Sequence, residues 1–158
     1  MKDIKVIDCK ASDNEYLHKD FHGALCYAIK YLEDNYGTES VEEYLQQVAR
    51  TYYKPLTDEL KANGLQVLEN HWNDIFNRED GEFELGYEGK TLVLKVDDCP
   101  AVSHLKKRGL FYTDNFCLTT KIVNETICKD AGFCCSCNYI SGEGKCVQKF
   151  WKSQGATE

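Results

Sequence analysis

Apolar residues recur every three or four positions through residues 15–80, which is the spacing of a buried helix face. This pattern predicts three helices, each with one apolar side. Gly37 is expected to end the first helix, and a capping-box pattern at Ser40–Glu43 is expected to start the second. Pro55 predicts a kink or a break near Lys54, because proline has no amide hydrogen to donate within a helix. The three apolar stripes are Leu17, Phe21, Ala24, Leu25, Ala28 and Leu32, then Tyr44, Leu45, Val48, Tyr52 and Leu56, then Leu65, Leu68, Trp72, Ile75 and Phe76.

After Gly81 the apolar period changes from 3.6 to 2, which is typical of β-strands. Phe83–Tyr87 and Leu92–Val96 form two such runs across a short turn at Glu88–Lys90, and this arrangement predicts a hairpin. Helices at about 100–108 and 114–129 and strands at about 133–140 and 145–150 complete the pattern. The predicted fold class is therefore α+β, with N-terminal helices packed on a small antiparallel β-sheet that has two inserted helices.

The chain of 158 residues has the length of a single domain with one core. We divide it into an N-terminal extension (1–14), a helical part (15–80) and a cysteine-rich α+β part (81–150). The net charge is −7, from 19 basic and 26 acidic residues, which argues against nucleic-acid binding because phosphate contacts need lysine and arginine. No apolar run approaches the ~20 residues that span a bilayer. The first residues also lack the apolar core of a signal peptide. We therefore expect a cytoplasmic protein that binds neither nucleic acid nor membrane.

Cysteine is the unusual component, with nine residues of which seven follow position 98. Thiols in a reducing cytosol are more often buried, reactive or metal-bound than paired in disulfides. Cys99 precedes Pro100, a favourable first helical residue, so Cys99 is expected at the N-cap, where amide groups and the helix dipole favour a thiolate. The neighbouring Asp97 and Asp98 oppose this, because negative charge raises the pKa of a thiol. The alternative is a small polar cap in a turn.

Two further sets of residues share helix faces. Cys117, Asn124 and Cys128 lie at i, i+7 and i+11, which places all three on one stripe of a helix. His22 and Cys26 are four residues apart on the first helix, a spacing that suits either a metal site or a base–thiol pair. Each set has a structural alternative, namely a buried face in which cysteine acts as a small apolar residue and histidine is satisfied by its neighbours.

The densest thiol cluster lies in the predicted C-terminal hairpin. Cys135 and Cys137 share one face of a strand, and Cys146 lies on the partner strand. A thiolate site for a transition metal such as zinc or iron is therefore one hypothesis. The spacing lacks the repeated Cys-x-x-Cys of most zinc sites, so thiols that fill a small core are the alternative.

Several short segments together indicate a family resemblance. They are Phe21–Ala24, Cys99–Pro100, Asn115–Cys117, Asn124 and Gly144–Cys146. With them, residues 15–150 resemble the L-2-amino-thiazoline-4-carboxylate hydrolase-like family of small prokaryotic proteins. The resemblance implies hydrolytic opening of a cyclic isothiourea-like amino acid to N-carbamoyl-cysteine. In that reaction water or a thiolate adds to the ring carbon that bears the amino group, and the ring sulfur leaves.

The resemblance also implies roles for individual residues. Cys99 and Cys117 would act as nucleophile or ligand, His22 would transfer protons, and Asn124 would orient the substrate. Because proton transfer requires hydrogen-bond reach, we expect Cys99, Cys117 and His22 to line one cavity.

Arginine is scarce in the chain, and Arg50 on the second predicted helix is our candidate for holding the substrate carboxylate. Cys26 is placed with the substrate-binding residues because it shares a helix side with His22. Two alternatives remain open. One is a non-catalytic domain that binds a metal or a small ligand through the same thiols, and the other is a homo-oligomeric scaffold in which Trp72 and the tyrosines form a dimer face.

Overall fold

The computed structural model describes residues 15–153, and these residues form six helices and one four-stranded antiparallel sheet. The predicted α+β class, with N-terminal helices on a small sheet and two inserted helices, is confirmed. The predicted N-terminal extension lies outside the described residues. The elements are α1 (Glu15–Tyr36), α2 (Thr38–Thr51), α3 (Lys54–Asn63), α4 (Gln66–Arg78), β1 (Glu82–Glu88), β2 (Thr91–Asp98), α5 (Pro100–Lys107), α6 (Leu118–Ala131), β3 (Phe133–Ile140) and β4 (Lys145–Lys152).

The helical part contains four helices rather than the predicted three, because the break expected near Lys54 separates α2 from α3 completely. Pro55 lies in the first turn of α3, where its missing amide hydrogen has no intrahelical partner to lose. The predicted capping box is wrong. α2 already begins at Thr38, and the hydroxyl of Ser40 donates to the carbonyl oxygens of Gly37 and Leu32 instead of capping the helix.

The buried side of α1 also differs from the predicted apolar stripe. Phe21 is 57% exposed, whereas Gly23, Cys26 and Ile29 are buried. This side of α1 faces α5 and the segment after it. A Cβ atom on Gly23 would lie only 3.4 Å from a Leu110 methyl group.

The strand order is β1-β2-β4-β3, and every neighbouring pair is antiparallel. Residues directly opposite each other point to the same face of a sheet, so the register defines which side chains meet the helices. The central row of that face runs from Leu85 through Leu94 and Gln148 to Cys137. Gln148 is only 2% exposed, so a polar side chain lies in the middle of an otherwise apolar layer.

Helix α6 connects the two parts of the chain. It packs against α2 and α3 on one side and against β3 on the other, while α4 packs against β1 and α1 packs against α2 and α5. Ile122, Val123 and Ile127 of α6 are buried in a single core cluster that includes Phe150 of β4. Helices α2 and α3 therefore pack against a helix from the second half of the chain.

The turn between α4 and β1 brings two helices unusually close together. A Cβ atom on Gly81 would lie 2.6 Å from Cδ1 of Phe76 and 3.0 Å from Cδ of Pro100, at the start of α5. Glycine is required for this approach, because real Cβ atoms do not come so near another heavy atom. The turn thereby places Glu79, two residues earlier, beside α1 and α5.

No helix within residues 15–153 combines the length and the apolar character that a membrane crossing needs.

Candidate functional site

A cavity of about 260 Å³ lies among α1, α2, α4, α5 and α6. We call it the helix cavity. Its volume is slightly below the roughly 300–1,000 Å³ of typical ligand pockets, so it suits a small molecule. Most of its wall is apolar. The side chains with polar atoms or thiols in its lining are His22, Tyr53, His71, Trp72, Glu79, Cys99, Cys117, Thr119, Thr120 and Asn124.

His22, Cys99, Cys117 and Asn124 all line the helix cavity, although they come from three different helical regions of the chain. The convergence that we expected from the sequence for His22, Cys99 and Cys117 is therefore confirmed. The chemical roles that the family resemblance implies for these residues remain predictions.

His22 is held by a buried carboxylate that the sequence pattern did not reveal. Its Nε2 atom lies 3.0 Å from Oε2 of Glu79, whose side chain is 5% exposed, compared with 21% for His22. The imidazole ring also meets Phe116 edge to face. A carboxylate hydrogen-bonded to an imidazole fixes the orientation of the ring, which a positioned acid–base group needs.

Cys99 occupies the predicted N-cap of α5, with Pro100 as the first helical residue. Its backbone amide donates to the carbonyl oxygen of Gly144 over 2.8 Å. The helix terminus does not make Cys99 a thiolate. Burial raises the pKa of Cys99 to about 11, and the nearby amides of Ala101 and Val102 offset only part of that increase. Cys99 is therefore a neutral thiol at neutral pH.

Cys117 precedes α6 and is likewise protonated at neutral pH, because burial raises the pKa of its thiol. The hydroxyl of Tyr112 lies 3.8 Å from the Cys117 sulfur and opposes this increase. Asn124 is buried, and its Nδ2 atom donates to Oε1 of Gln148 over 2.8 Å. The side-chain nitrogen of Asn124 is thus directed to the sheet. If Asn124 orients a substrate, it would do so through its side-chain oxygen.

Two residues that we expected to bind substrate lie away from the helix cavity. Arg50 is exposed, and its Nε atom lies 3.3 Å from Oδ2 of Asp130 on α6, because α2 turns this side chain outward. Cys26 is fully buried, and its sulfur accepts a hydrogen bond from the amide of Thr113 over 3.3 Å. The lining of the helix cavity contains no lysine or arginine among the residues that the structure describes.

The three cysteines proposed as a metal site do not form one group. Helix α6 covers β3, so Cys128 shares a hydrogen bond with Cys135, whereas Cys137 shares one with Cys146. Within residues 15–153 no group of three or more His, Cys, Asp or Glu side chains is placed to hold a metal ion. The eight cysteines of this part of the chain are all free thiols.

Two side chains of the cavity wall have buried nitrogens without a hydrogen-bond partner inside the described part of the chain. They are Nε2 of His71 and Nε1 of Trp72. Burial lowers the pKa of His71, which keeps its ring neutral. Trp72 is partly buried and packs against the core, where it stacks near Phe150 with ring centroids 6.4 Å apart. Buried polar atoms normally have partners, which makes these two nitrogens candidates for contacts with a ligand.

The neutral His71 predicts a specific dependence of stability on pH. Below the ordinary pKa of 6.5 the unfolded chain takes up a proton on His71, whereas the folded chain does so only at a lower pH. The free energy of unfolding should therefore fall as the pH decreases from 6.5 toward the folded-state pKa, by at most about 1.4 kcal/mol per pH unit from this group. Urea unfolding of the wild type and of His71→Phe between about pH 7 and pH 5 measures the difference.

Phenylalanine keeps an aromatic ring next to Tyr53 and Trp72 but does not titrate. The variant should therefore lose less stability on acidification than the wild type does. Parallel pH profiles for the two proteins would contradict a buried, neutral His71.

Comparison of the chain with protein families, with curated proteins and with solved structures finds no match.

Proposed function

We propose that the protein is a hydrolase that opens a small cyclic amidine, such as L-2-amino-thiazoline-4-carboxylate, in the helix cavity. One observation carries the proposal: a carboxylate-held imidazole, an amide and two thiols meet at one apolar cavity of small-molecule size. The segments that resemble the thiazoline hydrolase-like family include Cys99, Cys117, His22 and Asn124, which all line that cavity. The substrate class comes from the resemblance, and the acid–base chemistry comes from the His22–Glu79 pair.

The reaction that we propose uses water as the nucleophile. His22 takes a proton from a water molecule while the water oxygen bonds to the ring carbon between sulfur and nitrogen. Glu79 stabilises the imidazolium that forms. The electrons of the C=N bond move to the ring nitrogen, which takes the proton from His22. The new hydroxyl group then gives its proton to His22 as it becomes a carbonyl, the carbon–sulfur bond breaks, and His22 passes that proton to the leaving sulfur. One water is consumed, and the product carries a free thiol and a carbamoyl group on its nitrogen.

The thiols have a different part in this scheme from the one that the resemblance implied. Cys99 and Cys117 are protonated at neutral pH because burial raises the pKa of each, and a neutral thiol is a weaker nucleophile than a thiolate. We therefore assign them to the wall that surrounds the reacting ring. The Trp72 N–H group and the neutral His71 ring are then available to the polar atoms of the substrate.

Incubation of the purified protein with L-2-amino-thiazoline-4-carboxylate tests the proposal, with N-carbamoyl-cysteine measured by mass spectrometry. We expect turnover by the wild type, and retention of activity to within about tenfold in Cys99→Ser if water attacks directly. Loss of all turnover in this variant, with the fold intact, would indicate a covalent route instead. No turnover of this compound or of a panel of cyclic amidines would contradict the hydrolase proposal.

A small-ligand-binding domain is the second candidate. The apolar wall, the protonated thiols and the two nitrogens without partners favour it, because they recognise a ligand without supplying an activated nucleophile. Calorimetric titration with the same thiazoline distinguishes the candidates. Saturable binding with an unchanged compound would favour the binding domain over the hydrolase.

A further inference from the structure

A second, smaller pocket adjoins the helix cavity. Its volume is about 30 Å³, and Cys99, Cys117, Cys137 and Cys146 all belong to its lining. We call it the thiol pocket. Cys99 and Cys117 line both spaces, so these two side chains form a wall between them. The volume equals roughly the share of one water molecule in the liquid, so only a very small reactant fits.

Cys137 and Cys146 face each other diagonally on adjacent strands. Cys137 lies opposite Gln148, and Cys146 lies opposite Tyr139, two positions away on each strand. The thiols of Cys137 and Cys146 share a hydrogen bond. Diagonal neighbours are slightly farther apart than the Cα atoms of most disulfides. A small movement of β3 would bring the two sulfurs within bonding distance. β3 is an edge strand of the sheet, so this movement disturbs one neighbouring strand and helix α6, which packs on β3.

Gln148 donates the second hydrogen bond that the Cys146 sulfur accepts. Its Oε1 atom accepts from Asn124 over 2.8 Å, which leaves its Nε2 atom to donate to the Cys146 sulfur over 3.3 Å. Hydrogen bonds to a sulfur favour its charged form. They lower the pKa of Cys146 to about 7, whereas the shared hydrogen bond raises the pKa of Cys137. The hydrogen bond from Gln148 therefore distinguishes Cys146 as the more acidic thiol of the pair.

We propose that Cys146 and Cys137 are a peroxide-reactive pair: Cys146 attacks a small hydroperoxide, and Cys137 then closes a disulfide with it. In the first step the Cys146 thiolate bonds to one peroxide oxygen, the O–O bond breaks, and the departing hydroxide of hydrogen peroxide takes a proton to become water. In the second step the Cys137 sulfur bonds to the Cys146 sulfur, the S–O bond breaks, and the oxygen leaves as water with the proton of Cys137. The peroxide gains two electrons, and the two thiols lose them.

The inference does not depend on the hydrolase proposal, because it uses neither His22 nor the thiazoline. The other titratable groups of the thiol pocket are Cys99, Cys117, Tyr139 and Lys145. Cys99 and Cys117 are protonated at neutral pH, so they compete poorly as nucleophiles. Cys134 points to the opposite face of β3 and provides a matched control on the same strand.

The test adds about one equivalent of hydrogen peroxide to the reduced protein near neutral pH, followed by alkylation of the remaining thiols and peptide mapping. We expect the Cys137–Cys146 disulfide to form first, with Cys134 alkylated. In Cys137→Ser we expect a sulfenic acid on Cys146, trapped by dimedone, because the second thiol is missing. Cys146→Ser should lose the rapid reaction, and Cys134→Ser should behave as the wild type. A first disulfide at any other pair, or equal oxidation of all thiols, would overturn the proposal.

A measurement on the wild type avoids any question of whether the variants fold. The rate of alkylation of each cysteine by iodoacetamide is followed against pH by peptide mapping. A thiol with a pKa of 7 has about 50-fold more thiolate at pH 7 than one with the ordinary value of 9, so Cys146 should react at least about tenfold faster than Cys137. Equal rates for Cys146 and Cys137 at neutral pH would also overturn the proposal.

Discussion

Replacing His22 by glutamine is expected to reduce turnover of L-2-amino-thiazoline-4-carboxylate about 10²–10⁴-fold, the usual contribution of a positioned acid–base group. Glutamine can still donate a hydrogen bond to the Glu79 carboxylate, which lies 3.0 Å from the imidazole nitrogen in the wild type. It cannot accept and return a proton. Initial rates at equal concentrations of enzyme and substrate measure the effect.

His104→Gln is the matched control, because His104 lies on α5 and does not line the helix cavity. Its turnover should equal that of the wild type. Thermal unfolding of both variants establishes that neither substitution has disrupted the fold. Undiminished turnover in folded His22→Gln would exclude the imidazole from proton transfer and would remove the main chemical argument for the hydrolase.

Replacing Phe150 by alanine is expected to lower the free energy of unfolding by about 3–5 kcal/mol, as for other large side chains in well-packed cores. Phe150 is 1% exposed and lies between Leu92 and Cys135 in the sheet register. Its ring also stacks near Trp72 of the cavity wall. The substitution removes the contacts of a whole ring, and the surrounding elements can close the space only partly. Urea unfolding followed by circular dichroism gives the value.

Ile140→Ala provides the comparison for Phe150→Ala. Ile140 ends β3 and is 57% exposed, so its truncation should change the free energy of unfolding by no more than about 0.5 kcal/mol. A loss below about 1 kcal/mol for Phe150→Ala would contradict the central position of this ring in the core.

The class of fold was predictable because the apolar period changes from 3.6 to 2 after Gly81, with two further helical segments among the strands. Proline chemistry also located the boundary between α2 and α3 correctly. The orientation of α1 was not predictable from the stripe that includes Phe21, because it depends on the close contact between Gly23 and the residues around α5. That contact joins segments about 80 residues apart, and a periodicity within one helix contains no information about it.

For the candidate site, the sequence motifs identified some of the residues that line the cavity, but they did not reveal the partners or the protonation states of those residues. The Cys99–Pro100 and Phe21–Ala24 segments indicated residues that do meet at one cavity. The partner of His22 was not visible, because Glu79 lies 57 residues away and its side chain is brought to α1 by the turn at Gly81. The protonation state of Cys99 could not be decided from the sequence, because burial outweighs the helix terminus and the extent of burial is a property of the complete fold.

The position of α6 has a consequence for synthesis. The apolar sides of α2 and α3 are covered by a helix that begins at Leu118, so they leave the ribosome well before their cover has been translated. In a nascent chain that ends before α6, the apolar sides of α2 and α3 are therefore exposed to solvent. The packing of α2 and α3 against α6 therefore waits until the last quarter of the chain emerges, and chaperones that recognise exposed hydrophobic segments can bind during that interval.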